Sequence, residues 1–241
     1  MPINASDRLI LALDVDSAEK ARRIVEDLES SVSFYKVGLE LFVIGGTAIV
    51  EWLIGRGKKV FLDLKYNDVP ETVTRATRAA AGMGVSLLTV HGDGPTVRAA
   101  VTGRDAACGA NSSLKLIAVT VLTSFNAQDI KDIGFAVPLE ELVLQRAKQA
   151  HQLGCDGVVA SGHEARKIRQ AVGPDMLIVT PGIRPSGVAS QDQKRVMTPG
   201  EALAAGADYL VLGRAITAAA NPRTAAEAVL AEMRESLARA S

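Results

Sequence analysis

The sequence predicts a single α/β domain, residues 1–241, folded as a closed (β/α)8 TIM barrel. Three observations carry this expectation. Eight short apolar runs alternate with longer amphipathic runs. The units recur at roughly 30 residues each, the size of a strand–helix pair. No linker, charge block or low-complexity segment interrupts them. A chain of 241 residues, 48% hydrophobic and 22% charged, is long enough to bury one such core.

The expected strands are 8–14, 33–37, 58–63, 85–91, 114–120, 156–160, 177–180 and 208–212. Most are rich in Val, Ile and Leu with little polar alternation, the pattern of strands covered on both faces. Helical patterns fill the gaps, most clearly at 17–29, 69–82, 138–153 and 222–239. Helix starts carry cap signatures. Asp16 with Glu19 reads as a capping box, as does Thr198 with Glu201, where Pro199 takes the first helical position. Asn221-Pro222 is a similar start. A doubly wound open sheet is the main alternative, but no GxGxxG follows the first strand.

Composition narrows the function. Lys+Arg and Asp+Glu are both 27, and aromatics are 4%. Neither a basic footprint nor a stacking platform for nucleic acid is evident. Cys108 and Cys155 show no metal or redox spacing and read as small buried hydrophobes. The most apolar stretch, 41–55, contains Glu51 and is too short to cross a bilayer. The N-terminus lacks the basic-then-apolar form of a signal peptide. A cytoplasmic protein with no membrane partner is expected.

In a barrel, chemistry sits at the C-terminal strand ends. The first strand ends at Asp14, the second carries Lys36, and the third carries Asp63 and Lys65 with Asp68 just beyond. Charges inside apolar strands are costly unless paired. Asp63 and Lys65 are two apart, so a regular strand projects them to one face. Simpler readings exist for each. Asp14 competes with Asp16 as a helix cap, the lysines as rim residues whose stems lie on apolar surface, and Asp68 as a capping box with Glu71.

The seventh strand runs into Pro181-Gly182-Ile183-Arg184 and the eighth into Gly213-Arg214. Loops after these strands commonly bind phosphate, glycine allowing close backbone approach and arginine offering a forked donor. Surface ion pairing is the simpler reading of each arginine. The polar segment 186–197 holds Gln193 and is long enough to act as a lid. Thr123 and Ser124, after the fifth strand, offer hydroxyls, or form a turn before a capping Asn126. His91, His151 and His163 read as structural or solvated.

The run DLKYNDVPET at 63–72 resembles the signature of the orotidine 5′-phosphate decarboxylase family. ALD at 12–14, FYKVG at 34–38, VTVLTS at 119–124, TPGIRP at 180–185, DQKRVMTP at 192–199 and GADYLVLGR at 206–214 follow in the family's order over nearly the whole chain. Tyr66-Asn67, Glu71 and His91-Gly-Asp depart from its pattern. The resemblance implies removal of CO2 from carbon 6 of orotidine 5′-monophosphate, with neither cofactor nor metal, in pyrimidine biosynthesis. It implies Lys65 as proton donor within an alternating array with Lys36, Asp63 and Asp68. It further implies that Asp14 and Lys36 hold the ribose, Thr123 and Ser124 the base, and Pro181, Arg184, Gly213 and Arg214 the phosphate. Gln193 would bridge base and phosphate. The chain would form a homodimer in which Asp68 and Thr72 reach the neighbouring site.

Loss of CO2 leaves a carbanion whose lone pair lies in the ring plane, outside the π-system. Fixed cationic groups must then stabilise it. Related sugar-phosphate decarboxylases and hexulose-phosphate synthases share the DxKxxD run but use a divalent metal, with an acidic residue where this chain has Lys36. A Schiff-base aldolase needs a neutral lysine, and an ammonium paired with aspartates is no nucleophile. A nucleotide-binding barrel without turnover has no use for the strand-end charges.

Overall fold

The computed structural model describes residues 4–108, 113–185 and 197–240. Its strands are β1 Leu9–Ala12, β2 Phe34–Gly38, β3 Lys59–Tyr66, β4 Leu87–His91, β5 Lys115–Val119, β6 Gly157–Val159, β7 Leu177–Thr180 and β8 Tyr209–Leu212. The helices are α1 Ala5–Arg8, α2 Ala18–Leu28, α3 Leu39–Gly55, α4 Pro70–Gly82, α5 Gly94–Cys108 and α6 Ala127–Asp132. They continue with α7 Leu139–Gln152, α8 Gly162–Val172, α9 Pro199–Ala204, α10 Arg214–Thr217 and α11 Pro222–Ala240. The strands pair in parallel and in chain order, and β8 returns to β1, with Ile10 opposite Val211. That closure excludes the open sheet.

Side-chain alternation divides the interior into two layers. Ile10, Ala12, Phe34, Phe61, Leu87, Ile117, Val179 and Val211 fill the barrel itself. The intervening residues, such as Leu11, Tyr35, Val37, Leu62 and Leu88, pack outward under the helices. Both strand faces are therefore apolar, which is why the strands read as unbroken hydrophobic runs. Lys36 and Asp63 continue the inward rows of Phe34 and Phe61. They stand one step above the apolar filling, at the mouth.

The Thr198–Glu201 box forms, with the Glu201 N–H donating to Thr198 Oγ1 at 3.2 Å and the Thr198 N–H to Glu201 Oε2 at 2.9 Å. Asn221 Oδ1 accepts from the Thr224 N–H. The box expected at Asp16 does not form. Ser17 is the extended cap residue and accepts from the Lys20 N–H at 3.2 Å, leaving Asp16 to an i,i+4 ion pair with Lys20. Residues 41–55 lie in α3, which breaks at Gly46 (φ 57°, ψ −150°). Among the described residues no helix is long and apolar enough to cross a membrane. Cys155 is buried, and burial pushes its thiol up to about 12. The side chain of Cys108 lies outside the described set.

Candidate active site

A cavity of about 560 Å³ opens at the C-terminal end of the barrel. Its floor is apolar, with Ala12, Phe61, Val119, Val159, Val179 and Val211. Its wall has three polar sectors: Asp14, Lys36, Asp63 and Lys65 from β1–β3; Thr123 after β5; and Pro181, Gly182, Arg184, Gly213 and Arg214 after β7 and β8. A few convergent polar groups over an apolar base, at this volume, suit a small-molecule site.

The β1–β3 sector is a continuous chain of opposite charges. Lys36 Nζ lies 2.8 Å from Asp14 Oδ1 and 3.5 Å from Asp63 Oδ2, while Lys65 Nζ lies 2.9 Å from Asp63 Oδ1. Parallel register builds it, placing Lys36 beside both Ala12 and Phe61 and setting Gly38 opposite Asp63. The side chains of Lys36 and Asp63 are only 9% and 14% exposed, so their pairing offsets a real desolvation cost. A glycine at 38 leaves room for this pair in its present position. A Cβ there would stand 2.9 Å from Lys36 Nζ and 3.0 Å from Asp14 Oδ1.

Lys65 reaches the cavity by an irregular route. The β3–β4 register shifts between Leu62 and Tyr66, and Lys65 sits at φ 50°, one of two non-glycine residues with positive φ among those described. Such a bulge re-aims a side chain, at a cost in backbone strain. The face-sharing expected of Asp63 and Lys65 is realised, though through a bulge rather than a regular pleat.

Burial pushes the Asp63 carboxyl up, but the nearby charges of Lys36 and Lys65, with hydrogen bonds from Lys65 and Thr89, outweigh it and hold the group below its ordinary range. Burial likewise lowers the His91 imidazole. Asp93 opposes that shift, whereas Arg146 and Lys65 reinforce it. His151 and His163 are exposed on helices.

In the sector after β7 and β8, Ile183 bridges Met197 in parallel and the Arg184 N–H donates to Met197 O at 3.0 Å, so the flanks of segment 186–196 meet beside the cavity. Arg184 is buried and donates to Ile183 O. Gln193 lies outside the described residues. Asp68, Thr72 and Ser124 are exposed and do not line the cavity of a single chain. The capping box suggested for Asp68 does not form. Val69 takes the cap position of α4, and Asp68 Oδ1 instead accepts from the Val69 N–H at 2.6 Å. The capping role of Asn126 is present, alongside Thr123 in the wall.

The structure adds Gly38, Leu39, Leu122, Thr217 and Thr89 to the neighbourhood. All but Thr89 line the cavity directly. Gly38 sits inside a motif quoted above and only its geometry was unread. Thr89 gave one faint sign, a hydroxyl in the otherwise apolar run Leu87-Leu88-Thr89-Val90.

Comparison with known proteins identifies the family. The model of the Orotidine 5′-phosphate decarboxylase / HUMPS family matches residues 7–229. The chain is 52% identical over 233 residues to the orotidine 5′-phosphate decarboxylase of Nitrobacter winogradskyi, covering 97% of this chain and 95% of that one. It is 49% identical to that of Methylobacterium radiotolerans, covering 94% and 96%. The crystal structure of orotidine 5′-phosphate decarboxylase from Lactobacillus acidophilus superposes with a TM-score of 0.83 at 37% identity, covering 93% of this chain and 98% of that one.

Proposed function

Because the chain belongs to the orotidine 5′-phosphate decarboxylase / HUMPS family, we propose that its barrel mouth converts orotidine 5′-monophosphate to uridine 5′-monophosphate and CO2, with Lys65 as the proton donor. The observation that carries this reading is the Asp14–Lys36–Asp63–Lys65 chain, two ammonium groups held by carboxylates at the edge of an apolar cavity. In the reaction the bond from C6 to the carboxylate breaks and its electron pair stays on C6. The Lys65 ammonium faces that developing charge and then transfers a proton to C6. The resulting amine is reprotonated from solvent. Because the paired groups are already oriented, little reorganisation is needed at the transition state.

The three sectors fit three parts of a nucleotide. Asp14 and Lys36 suit the ribose hydroxyls, Thr123 and Ser124 the pyrimidine edge, and Arg184, Gly213 and Arg214, with Pro181 shaping the loop, the phosphate. Gln193 belongs to the segment between Ile183 and Met197, whose flanks adjoin the phosphate sector.

The working form is a homodimer in the cytoplasm. Leu39, Val43, Ile44 and Val69 expose 59%, 82%, 48% and 64% of their surfaces beside the β2 and β3 ends. Exposed apolar residues grouped along α3 suit a partner surface, and Leu39 also lines the cavity. Val69 lies between Asp68 and Thr72, so covering it with a second copy carries both residues towards that copy.

The second reading, a metal-dependent sugar-phosphate decarboxylase or hexulose-phosphate synthase, is disfavoured by Lys36, whose ammonium lies between the two carboxylates that a cation would need. Following the ultraviolet absorbance of orotidine 5′-monophosphate in excess EDTA tests the choice. Full turnover is expected with chelator, and none for a folded Lys65→Ala variant. Activity that vanishes with EDTA and returns with a divalent metal would support the second reading.

A further inference from the structure

The geometry points to Thr89 as a positioning residue that locks Lys65 and Asp63 together through a single hydroxyl; this rests on Lys65 being the proton donor, as proposed above. Thr89 lies on β4, points into the barrel two residues above Leu87, and is fully buried. Its Oγ1 accepts the Lys65 backbone N–H at 2.9 Å and donates to Asp63 Oδ1 at 2.9 Å.

The two bonds have separate causes. The β3–β4 register breaks between Leu62 and Tyr66, within the stretch where Lys65 adopts φ 50°. A buried N–H at such a break needs another acceptor, and the Thr89 hydroxyl supplies it. That hydroxyl has one proton and two lone pairs. With a lone pair taken by the Lys65 N–H, its proton is directed to Asp63, whose ionised carboxylate can only accept. Asp63 Oδ1 thereby receives both Thr89 Oγ1 and Lys65 Nζ. The backbone of the proton donor and the carboxylate that aims its ammonium are thus held by one atom. Thr89 does not line the cavity, so its effect passes through these two neighbours.

Removing the hydroxyl should relax the bulge and let Lys65 Nζ drift, with the ribose and phosphate contacts intact. Misplacement of a catalytic group by about 1 Å can cost on the order of 100-fold. Thr89→Val keeps shape and branching without the hydroxyl, and Thr89→Ser keeps the hydroxyl. Thr89→Val should lower kcat about 10- to 100-fold with KM changed less than about threefold, and Thr89→Ser should stay within about threefold of the parent. Should Thr89→Val not fold, Thr89→Ala takes its place under the same criteria. A folded hydroxyl-free variant that keeps more than half its kcat, or a serine variant as impaired as the valine one, overturns the inference. Lys65→Ala is assayed in parallel. If it stays active, the reading of Lys65 has failed; if it is inactive while Thr89→Val is not, only the role of Thr89 has.

Discussion

At the scale of single residues, Asp63 is the pivot of the mouth. One oxygen faces Lys36, while the other takes Lys65 and Thr89. Removing its charge takes the carboxylate from Lys65 and leaves Lys36 with Asp14 alone, in a poorly solvated wall. Asp63→Asn should destabilise the fold by about 3 kcal/mol near neutral pH, in the range seen when one partner of a buried pair is lost. The pH dependence has a definite sign. The folded-state value of Asp63 is depressed below 3.8, so its contribution is complete above that value and disappears as pH falls through the lower folded value. Urea unfolding of the parent and Asp63→Asn at a series of pH values should give a stability gap that is widest above about pH 5 and narrows below 3.8. A gap that is constant across the range would mean that Asp63 contributes shape rather than charge. The charges themselves were legible in the sequence, because Asp and Lys are conspicuous in apolar strands. The hydroxyl that ties them was not, since threonine is an ordinary strand residue and its partners lie 24 and 26 positions away.

At the scale of elements, the strands were legible for one physical reason. Each is covered on both faces, so each appears as a compact apolar run, and all eight lie within three residues of the expected bounds. Features governed by local competition or long-range register were not. Ser17 rather than Asp16 caps α2, and nothing local announces the bulge at Lys65. The closed end of the barrel shows a further pattern. Asp156, just before β6, accepts Arg104 from α5 at 2.6 Å and the Leu116 N–H of β5 at 2.9 Å. Asp208, just before β8, accepts Arg169 from α8 at 2.5 Å and the Ile178 N–H of β7 at 2.8 Å. The same clasp thus recurs two strands apart, in Gly154-Cys155-Asp156 and Gly206-Ala207-Asp208. Arg169 also donates to the carbonyls of Gly173, Pro174, Met176 and Gly206. Side chains at this end serve stability rather than chemistry. Arg169→Leu should therefore cost about 2–4 kcal/mol in urea unfolding, through unpaired carbonyls and an unpaired Asp208. Its kcat at 25 °C should be unchanged within about twofold, since the chemistry lies at the opposite strand ends. A large fall in kcat with stability unaltered would contradict that division.

At the scale of the whole molecule, the cavity of one chain lacks two of the residues expected at the site. Asp14, Lys36, Asp63 and Lys65 line the cavity, whereas Asp68 and Thr72 are exposed outside it, flanking the exposed Val69. A two-fold dimer brings the same patch of each copy against the other, so each cavity would combine its own Lys65 with the Asp68 of its neighbour. This arrangement makes a quantitative demand on mixtures. Asp68→Ala and Lys65→Ala homodimers should each be inactive. In a mixed dimer one cavity receives both lesions, while the other combines an intact Lys65 with an intact Asp68. After complete exchange of equal amounts, half the dimers are mixed and each has one working cavity, so about a quarter of the parent activity should return. Exchange is verified independently with differently tagged chains, and the quarter is approached only as exchange completes. A mixture that stays inactive after exchange is shown would mean that each chain builds its site alone. The role of Asp68 would then have to be sought in the turn it makes with the Val69 N–H.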